Sequence, residues 1–127
     1  MTLKRILYAE DEPDIQAVAK LALEMLGGFQ VLICNTGIEA LEKVQDFAPD
    51  LILLDVMMPG IDGPTTLLRL RADPATAGIP VIFLTAKVQP SEVLQYQSMG
   101  ALDVIAKPFD PMGLAAEVKK IWGRNHA

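Results

Sequence analysis

The sequence predicts an α/β protein: a doubly wound sheet of five parallel strands with five helices on its two faces. Three observations carry that prediction. Unbroken apolar runs such as Leu51-Ile52-Leu53-Leu54 lack the polar alternation of a half-exposed strand, so they read as strands covered on both faces. Between such runs lie stretches whose apolar residues recur at helical spacing. Strand and helix therefore alternate, and right-handed crossovers between parallel strands turn the alternation into a layered sheet. With 127 residues, 51% of them hydrophobic, the chain makes one domain and can bury a core.

Residues 4–9 form a short apolar strand that runs into the acidic burst Glu10-Asp11-Glu12-Pro13-Asp14. Pro13 suits the first turn of a helix, where its missing N–H costs nothing. That helix extends to about Met25, with Ile15, Val18, Ala19, Leu21, Ala22 and Met25 as its apolar stripe, and Gly27-Gly28 stops it. Residues 29–34 are the second strand. Asn35-Thr36-Gly37 turns the chain into a helix over residues 38–47, ended by Pro49.

The third strand, residues 51–55, closes on Asp55 before the Pro59-Gly60 turn. Asp62 can cap a helix from Gly63-Pro64 to about Arg71, and residues 72–78 form a loop. Residues 80–84 are the fourth strand, and a helix over residues 91–99 is closed by Gly100. A short fifth strand at residues 103–106 leads to Lys107-Pro108-Phe109. Asp110 then caps the last helix, with Pro111 at its first position and an end near Trp122-Gly123.

Composition narrows the function classes. A net charge of −5 argues against direct nucleic-acid binding, which wants a basic face. No apolar run approaches the roughly 18–20 residues of a membrane span, and no signal-peptide pattern opens the chain. The lone cysteine, Cys34, suits a reducing compartment and reads as a small core hydrophobe. The expectation is a cytoplasmic protein.

Each strand's carboxyl end delivers a polar residue: Glu10 and Asp11, then Asp55, Thr85 and Lys107. In the flavodoxin-like strand order 2-1-3-4-5, strands one and three adjoin at the switch point, and ligands bind at that rim. Three carboxylates would meet there beside a lysine and a hydroxyl. Like charges so close raise one another's pKa and need a counterion. Oxygen ligands with room for water favour Mg²⁺, which takes one or two carboxylates and a phosphate. Lysine can balance a phosphate's charge and the threonine hydroxyl can donate to it, so the arrangement suits phosphoryl transfer to Asp55.

The segments around Glu10-Asp11-Glu12-Pro13, Leu54-Asp55-Val56-Met57-Met58-Pro59-Gly60, Leu84-Thr85-Ala86 and Ala106-Lys107-Pro108-Phe109 together resemble the receiver domain of two-component response regulators, the CheY-like receivers, over essentially the whole chain. The resemblance implies that Asp55 is phosphorylated from a sensor histidine kinase or a histidine phosphotransfer protein. It implies Mg²⁺ bound directly by Asp11 and Asp55 and the backbone carbonyl of Met57, with Glu10 acting through water. Lys107 would contact the phosphoryl group, Thr85 would close on it in the active state, and Lys107-Pro108 would be cis.

Some positions depart from the family's pattern. Val104 stands where receivers often carry a mobile aromatic, so a switch would run through the Thr85 loop and the helix over residues 91–99. Glu117 replaces an arginine used in a common receiver dimer, which predicts a monomer or weak dimer. Neither Met57 nor Lys87 positions an attacking water, which predicts a phosphoryl lifetime of minutes or longer.

With residues 123–127 alone after the last helix, the reading is a stand-alone receiver over residues 1–127 with no output domain. It would not be an enzyme beyond promoting its own phosphorylation and dephosphorylation. Its output would be a phosphorylation-dependent contact with an unknown downstream protein, or transfer to a relay histidine. A piece of a longer regulator, a phosphate-independent binding module and a small haloacid-dehalogenase-like phosphatase are the alternatives. The phosphatase would need a second Asp where Met57 stands.

Overall fold

A computed structural model describes residues 2–126. The elements alternate as β1 (Arg5–Ala9), α1 (Pro13–Met25), β2 (Gln30–Cys34), α2 (Gly37–Phe47), β3 (Leu51–Asp55), α3 (Gly63–Ala72), β4 (Val81–Thr85), α4 (Pro90–Ser98), β5 (Asp103–Ala106) and α5 (Leu114–His126). All strands are parallel, in the order β2-β1-β3-β4-β5. The predicted fold and strand order are those observed.

Alternation along each strand splits the core into two layers. Ile6, Tyr8, Leu51, Leu53, Ile82 and Leu84 face α1 and α5, where Leu23, Val118 and Ile121 meet them. Leu7, Ala9, Ile52, Leu54, Val81 and Phe83 face the other side, against Val44 of α2 and Leu67 and Leu70 of α3. β3 and β4 are buried at every position, as unbroken apolar runs require.

Local signals set most helix ends. The Thr36 hydroxyl accepts from the Glu39 N–H at 3.0 Å, and Asp62 Oδ1 accepts from the Thr65 N–H at 2.8 Å. α2 ends at Ala48, which takes the left-handed conformation at φ 52°.

Three expectations are corrected. α1 buries Ala19, Ala22 and Leu23, whereas Val18, Leu21 and Met25 of the predicted stripe are 42%, 62% and 75% exposed. Both faces of α1 carry apolar residues, so periodicity alone could not choose between them. The last helix begins at Leu114: Asp110 instead caps a turn, its Oδ1 accepting from the Met112 N–H and its carbonyl from the Gly113 N–H. The helix also passes Gly123, near which the sequence places its end, and carries His126. That ring stacks on Trp122 at 3.8 Å, while Arg124 pairs with Asp103 at 2.9 Å.

Gly63 marks tight backbone packing beneath Asp55. A Cβ there would lie 2.6 Å from the Asp55 carbonyl oxygen and 2.9 Å from Val56 Cα, both backbone atoms. Gly123 has nothing within 4 Å of the same position. Gly63→Ala should therefore destabilise by about 1–3 kcal/mol, and Gly123→Ala should stabilise by about 0.5–1 kcal/mol. Denaturant melts of both variants check the pair; equal effects would remove the packing explanation.

Candidate functional site

The site grows out of the strand ends. Because side chains two apart in a strand share a face, Tyr8 and Glu10 point the same way. The Glu10 N–H donates to the Cys34 carbonyl at 2.9 Å, prolonging the β1–β2 ladder and carrying the Glu10 side chain inside, where it is fully buried. Asp55 ends β3 and is 3% exposed. The Lys107 N–H donates to the Thr85 carbonyl at 2.9 Å, which extends β5 beside β4 and aims the lysine back over the sheet.

Lys107 Nζ donates to Glu10 Oε1 at 2.9 Å and to Asp55 Oδ2 at 3.1 Å. The Tyr8 hydroxyl donates to the same Glu10 oxygen at 3.2 Å, and the Glu12 N–H donates to Glu10 Oε2 at 3.1 Å. Both oxygens of Glu10 are thus engaged. Asp55 Oδ1 receives only a long bond, 3.4 Å, from the Met57 N–H. The Thr85 hydroxyl, buried at the end of β4, accepts from the Lys87 N–H at 3.1 Å. Asp55, Met57, Thr85, Lys87, Tyr96 and Lys107 line one cavity of about 310 Å³.

Oxygens of Glu10, Asp11 and Asp55 all lie within 4.8 Å of one another, so the three acids of the sequence reading converge. Carboxylate oxygens alone make a hard donor set that fits Mg²⁺. Asp11, partly exposed, and Asp55 have oxygens free of strong donors, whereas Glu10 does not; that suits Glu10 to an outer, water-mediated place.

Crowding of charge sets the protonation. Burial, reinforced by the Glu10 charge, pushes Asp55 up to about 6 against the opposing pull of Lys107. Burial would raise Glu10 as well, but the bonds from Lys107 and the Glu12 N–H hold it below the ordinary glutamate value. Burial disfavours the Lys107 charge, yet its two carboxylate partners raise the ammonium above the usual lysine value. Cys34 is buried and its thiol is pushed up to about 11, which agrees with a core role.

Every residue that the sequence singled out at the rim lies at or beside this cluster, and Lys107-Pro108 is cis. Three participants went unread. Gln16 donates through its amide to the Glu10 carbonyl and to Asn35 Oδ1, bracing the start of α1. Tyr8 sits two residues before Glu10 in a buried strand, where its hydroxyl needs a partner; that spacing was a usable signal. Tyr96 reaches the cavity from α4, and no local pattern announces it.

Residues 6–119 match the family model described as the response regulator receiver domain. The phosphate regulon transcriptional regulatory protein PhoB of Pseudomonas aeruginosa is 40% identical over 98% of this chain and 54% of its own length. The DNA-binding response regulator MtrA of Mycolicibacterium smegmatis is 37% identical over 96% of this chain and 52% of its own. The chain thus spans about half the length of these curated relatives. DNA binding stands in the name of MtrA, whereas the sequence leads to an expectation of no direct nucleic-acid contact for this chain. The chemotaxis response regulator CheY4 of Vibrio cholerae superposes with a TM-score of 0.86 at 27% identity, covering 94% of this chain and 99% of that one. On the match to the family model, the relatives and the shared five-stranded order, the chain belongs to the receiver domain family of two-component response regulators.

Proposed function

We propose that Asp55 is a phosphoacceptor and that the aspartyl phosphate is the signal this domain carries. The observation that supports this best is the contact of Lys107 Nζ with Asp55 at 3.1 Å, in a cavity that also holds the Thr85 hydroxyl and adjoins the acidic cluster. Asp55 attacks the phosphorus of a phosphohistidine on a sensor histidine kinase or phosphotransfer protein. An O–P bond forms, the N–P bond breaks, and the imidazole nitrogen leaves with the electron pair and takes a proton from solvent. Lys107 exchanges its Asp55 contact for a phosphoryl oxygen, and the Thr85 hydroxyl turns from accepting the Lys87 N–H to donating to another.

Asp11, Asp55 and the Met57 carbonyl would hold Mg²⁺, with Glu10 acting through water. Bound there, the cation neutralises the carboxylates and the phosphoryl charge that collect at the rim. The domain turns over no separate substrate; it promotes its own phosphorylation and dephosphorylation. Its output is a phosphorylation-dependent protein contact made by residues 1–127 as one cytoplasmic receiver, monomeric or weakly dimeric. Among the described residues no helix is long and apolar enough to cross a membrane.

The donor's docking face adjoins the site. Exposed Val18, Leu21, Met25 and Met112 line an apolar groove between α1 and the turn before α5. Val18 and Pro111 also line the next cavity, which reaches Lys107. An apolar helix laid in this groove would bring its histidine toward the rim.

Incubation with acetyl phosphate and Mg²⁺ should add one phosphoryl mass to the intact chain. Asp55→Asn and metal-free controls should add none, and an adduct surviving in Asp55→Asn would refute the assignment. Leu21→Glu should cut transfer from a phosphohistidine protein about tenfold or more, as loss of a buried apolar contact predicts, while labelling by acetyl phosphate stays unchanged. Parallel loss in both assays would argue against docking there.

Asp55 also ties stability to pH. Its folded pKa, about 6, exceeds the ordinary 3.8, so its stabilising contribution is complete below 3.8 and is lost as pH rises through about 6. In metal-free buffer at pH 7.5, Asp55→Asn should therefore be more stable than wild type by on the order of 2 kcal/mol. The advantage should disappear near pH 4. Thermal melts across this range decide it; a difference independent of pH would mean that Asp55 titrates as an ordinary carboxylate.

A further inference from the structure

Glu10 is held by three donors of two kinds. Lys107 Nζ reaches it from 97 residues away and is shared with Asp55. The Tyr8 hydroxyl and the Glu12 N–H belong to the same stretch of chain as Glu10 itself, two residues before it and two after. Tyr8 and Lys107 meet on one oxygen, Oε1, at 3.2 Å and 2.9 Å, while the Glu12 N–H takes Oε2 at 3.1 Å.

The two donors on Oε1 differ in how firmly they are placed. A lysine carries its ammonium on a flexible four-carbon stem and can turn its N–H bonds to a new partner. Tyr8 has no such freedom. It lies inside the sheet on β1, in register with Ile33 of β2 and Leu53 of β3, and is fully buried in the core layer that faces α1 and α5. Packing at interior density holds a ring in one orientation, so its hydroxyl has a fixed place. Glu10 Oε1 is the one hydrogen-bond partner of that hydroxyl among the described residues. A phenylalanine would fill the same core space with no polar group to satisfy, so the oxygen is explained by what it does for Glu10.

The transfer proposed for Asp55 moves Lys107, which exchanges a carboxylate contact for a phosphoryl oxygen. A carboxylate gripped at Oε1 by that ammonium alone would be free to turn with it. With Tyr8 on Oε1 and the Glu12 N–H on Oε2, each oxygen keeps a donor that takes no part in the transfer. We infer that Tyr8 is a positioning residue for the cation site: its buried hydroxyl fixes the Glu10 carboxylate independently of Lys107 and keeps it within the 4.8 Å cluster shared with Asp11 and Asp55. Partners that orient a metal's ligands set its affinity as well as its geometry. The inference rests on the reading of Glu10, Asp11 and Asp55 as the Mg²⁺ site.

Mg²⁺ titration of the intact chain, with no phosphodonor present and backbone amide NMR shifts followed at Asp11 and Met57, tests it. Tyr8→Phe deletes only the hydroxyl, and Glu10→Gln keeps the shape of the side chain while removing its charge, so both variants retain the fold. Tyr8→Phe should raise the Mg²⁺ dissociation constant about fivefold. That is less than the roughly tenfold or more typical for a partner of a direct ligand, because Glu10 reaches the cation through water. In the Glu10→Gln background the charge through which Tyr8 acts is gone, and Tyr8→Phe should change the constant by less than about twofold. An equal loss in both backgrounds would make Tyr8 a packing residue and overturn the inference, as would an unchanged constant in Tyr8→Phe alone; either result leaves the cation site standing. Wild type without Mg²⁺-dependent shifts would overturn the cation site and the inference together.

Discussion

One ammonium group holds the site together. Lys107 Nζ lies 2.9 Å from Glu10 and 3.1 Å from Asp55, two carboxylates almost wholly removed from water. Buried charges of one sign are tolerated only with a counterion and full hydrogen bonding, since desolvation costs several kcal/mol per ion. Glu10 meets that condition through three donors: Tyr8, Lys107 and the Glu12 N–H engage its two oxygens. Asp55 meets it only in part, and the unbalanced remainder appears as its raised pKa.

The same imbalance makes the site reactive. A carboxylate with unfilled oxygens beside a cation, a free acid and a hydroxyl gains by accepting positive charge or a group that brings further acceptors for Lys107. Reaching this arrangement takes the whole sheet. Strands lie about 4.8 Å apart, so β3 and β5 are separated by about 10 Å with β4 between them. A lysine stem is long enough to cross the end of β4 once Lys107 is tied to the Thr85 carbonyl.

Rigidity is distributed unevenly around this centre. On the β3–α3 side, Gly63 lets backbone press against backbone and its N–H donates to the Val56 carbonyl at 3.0 Å, leaving no play beneath Asp55. On the β4–α4 side, a helix without a buried residue leans on the cavity through Tyr96.

Much of this was legible in the order of residues. Unbroken apolar runs marked β3 and β4 because both faces are covered, and Thr36, Asp62 and Pro13 punctuated helices by mechanisms that act within three residues. Placing Glu10, Asp11, Asp55, Thr85 and Lys107 at strand ends needed only those boundaries, and parallel winding put the ends on one rim. The apolar face of α1 and the start of α5 were not legible, since each had two locally acceptable solutions and packing chose between them. The partners of Lys107 lie 97 and 52 residues away in the chain, and Tyr96 meets Phe83 across a crossover. Sequence by itself determined which chemical groups arrive at the rim, because period and punctuation are local. Which oxygens share the ammonium, and which ring walls the cavity, only the tertiary structure decided, because those contacts depend on strand order, twist and helix seating summed over the whole sheet.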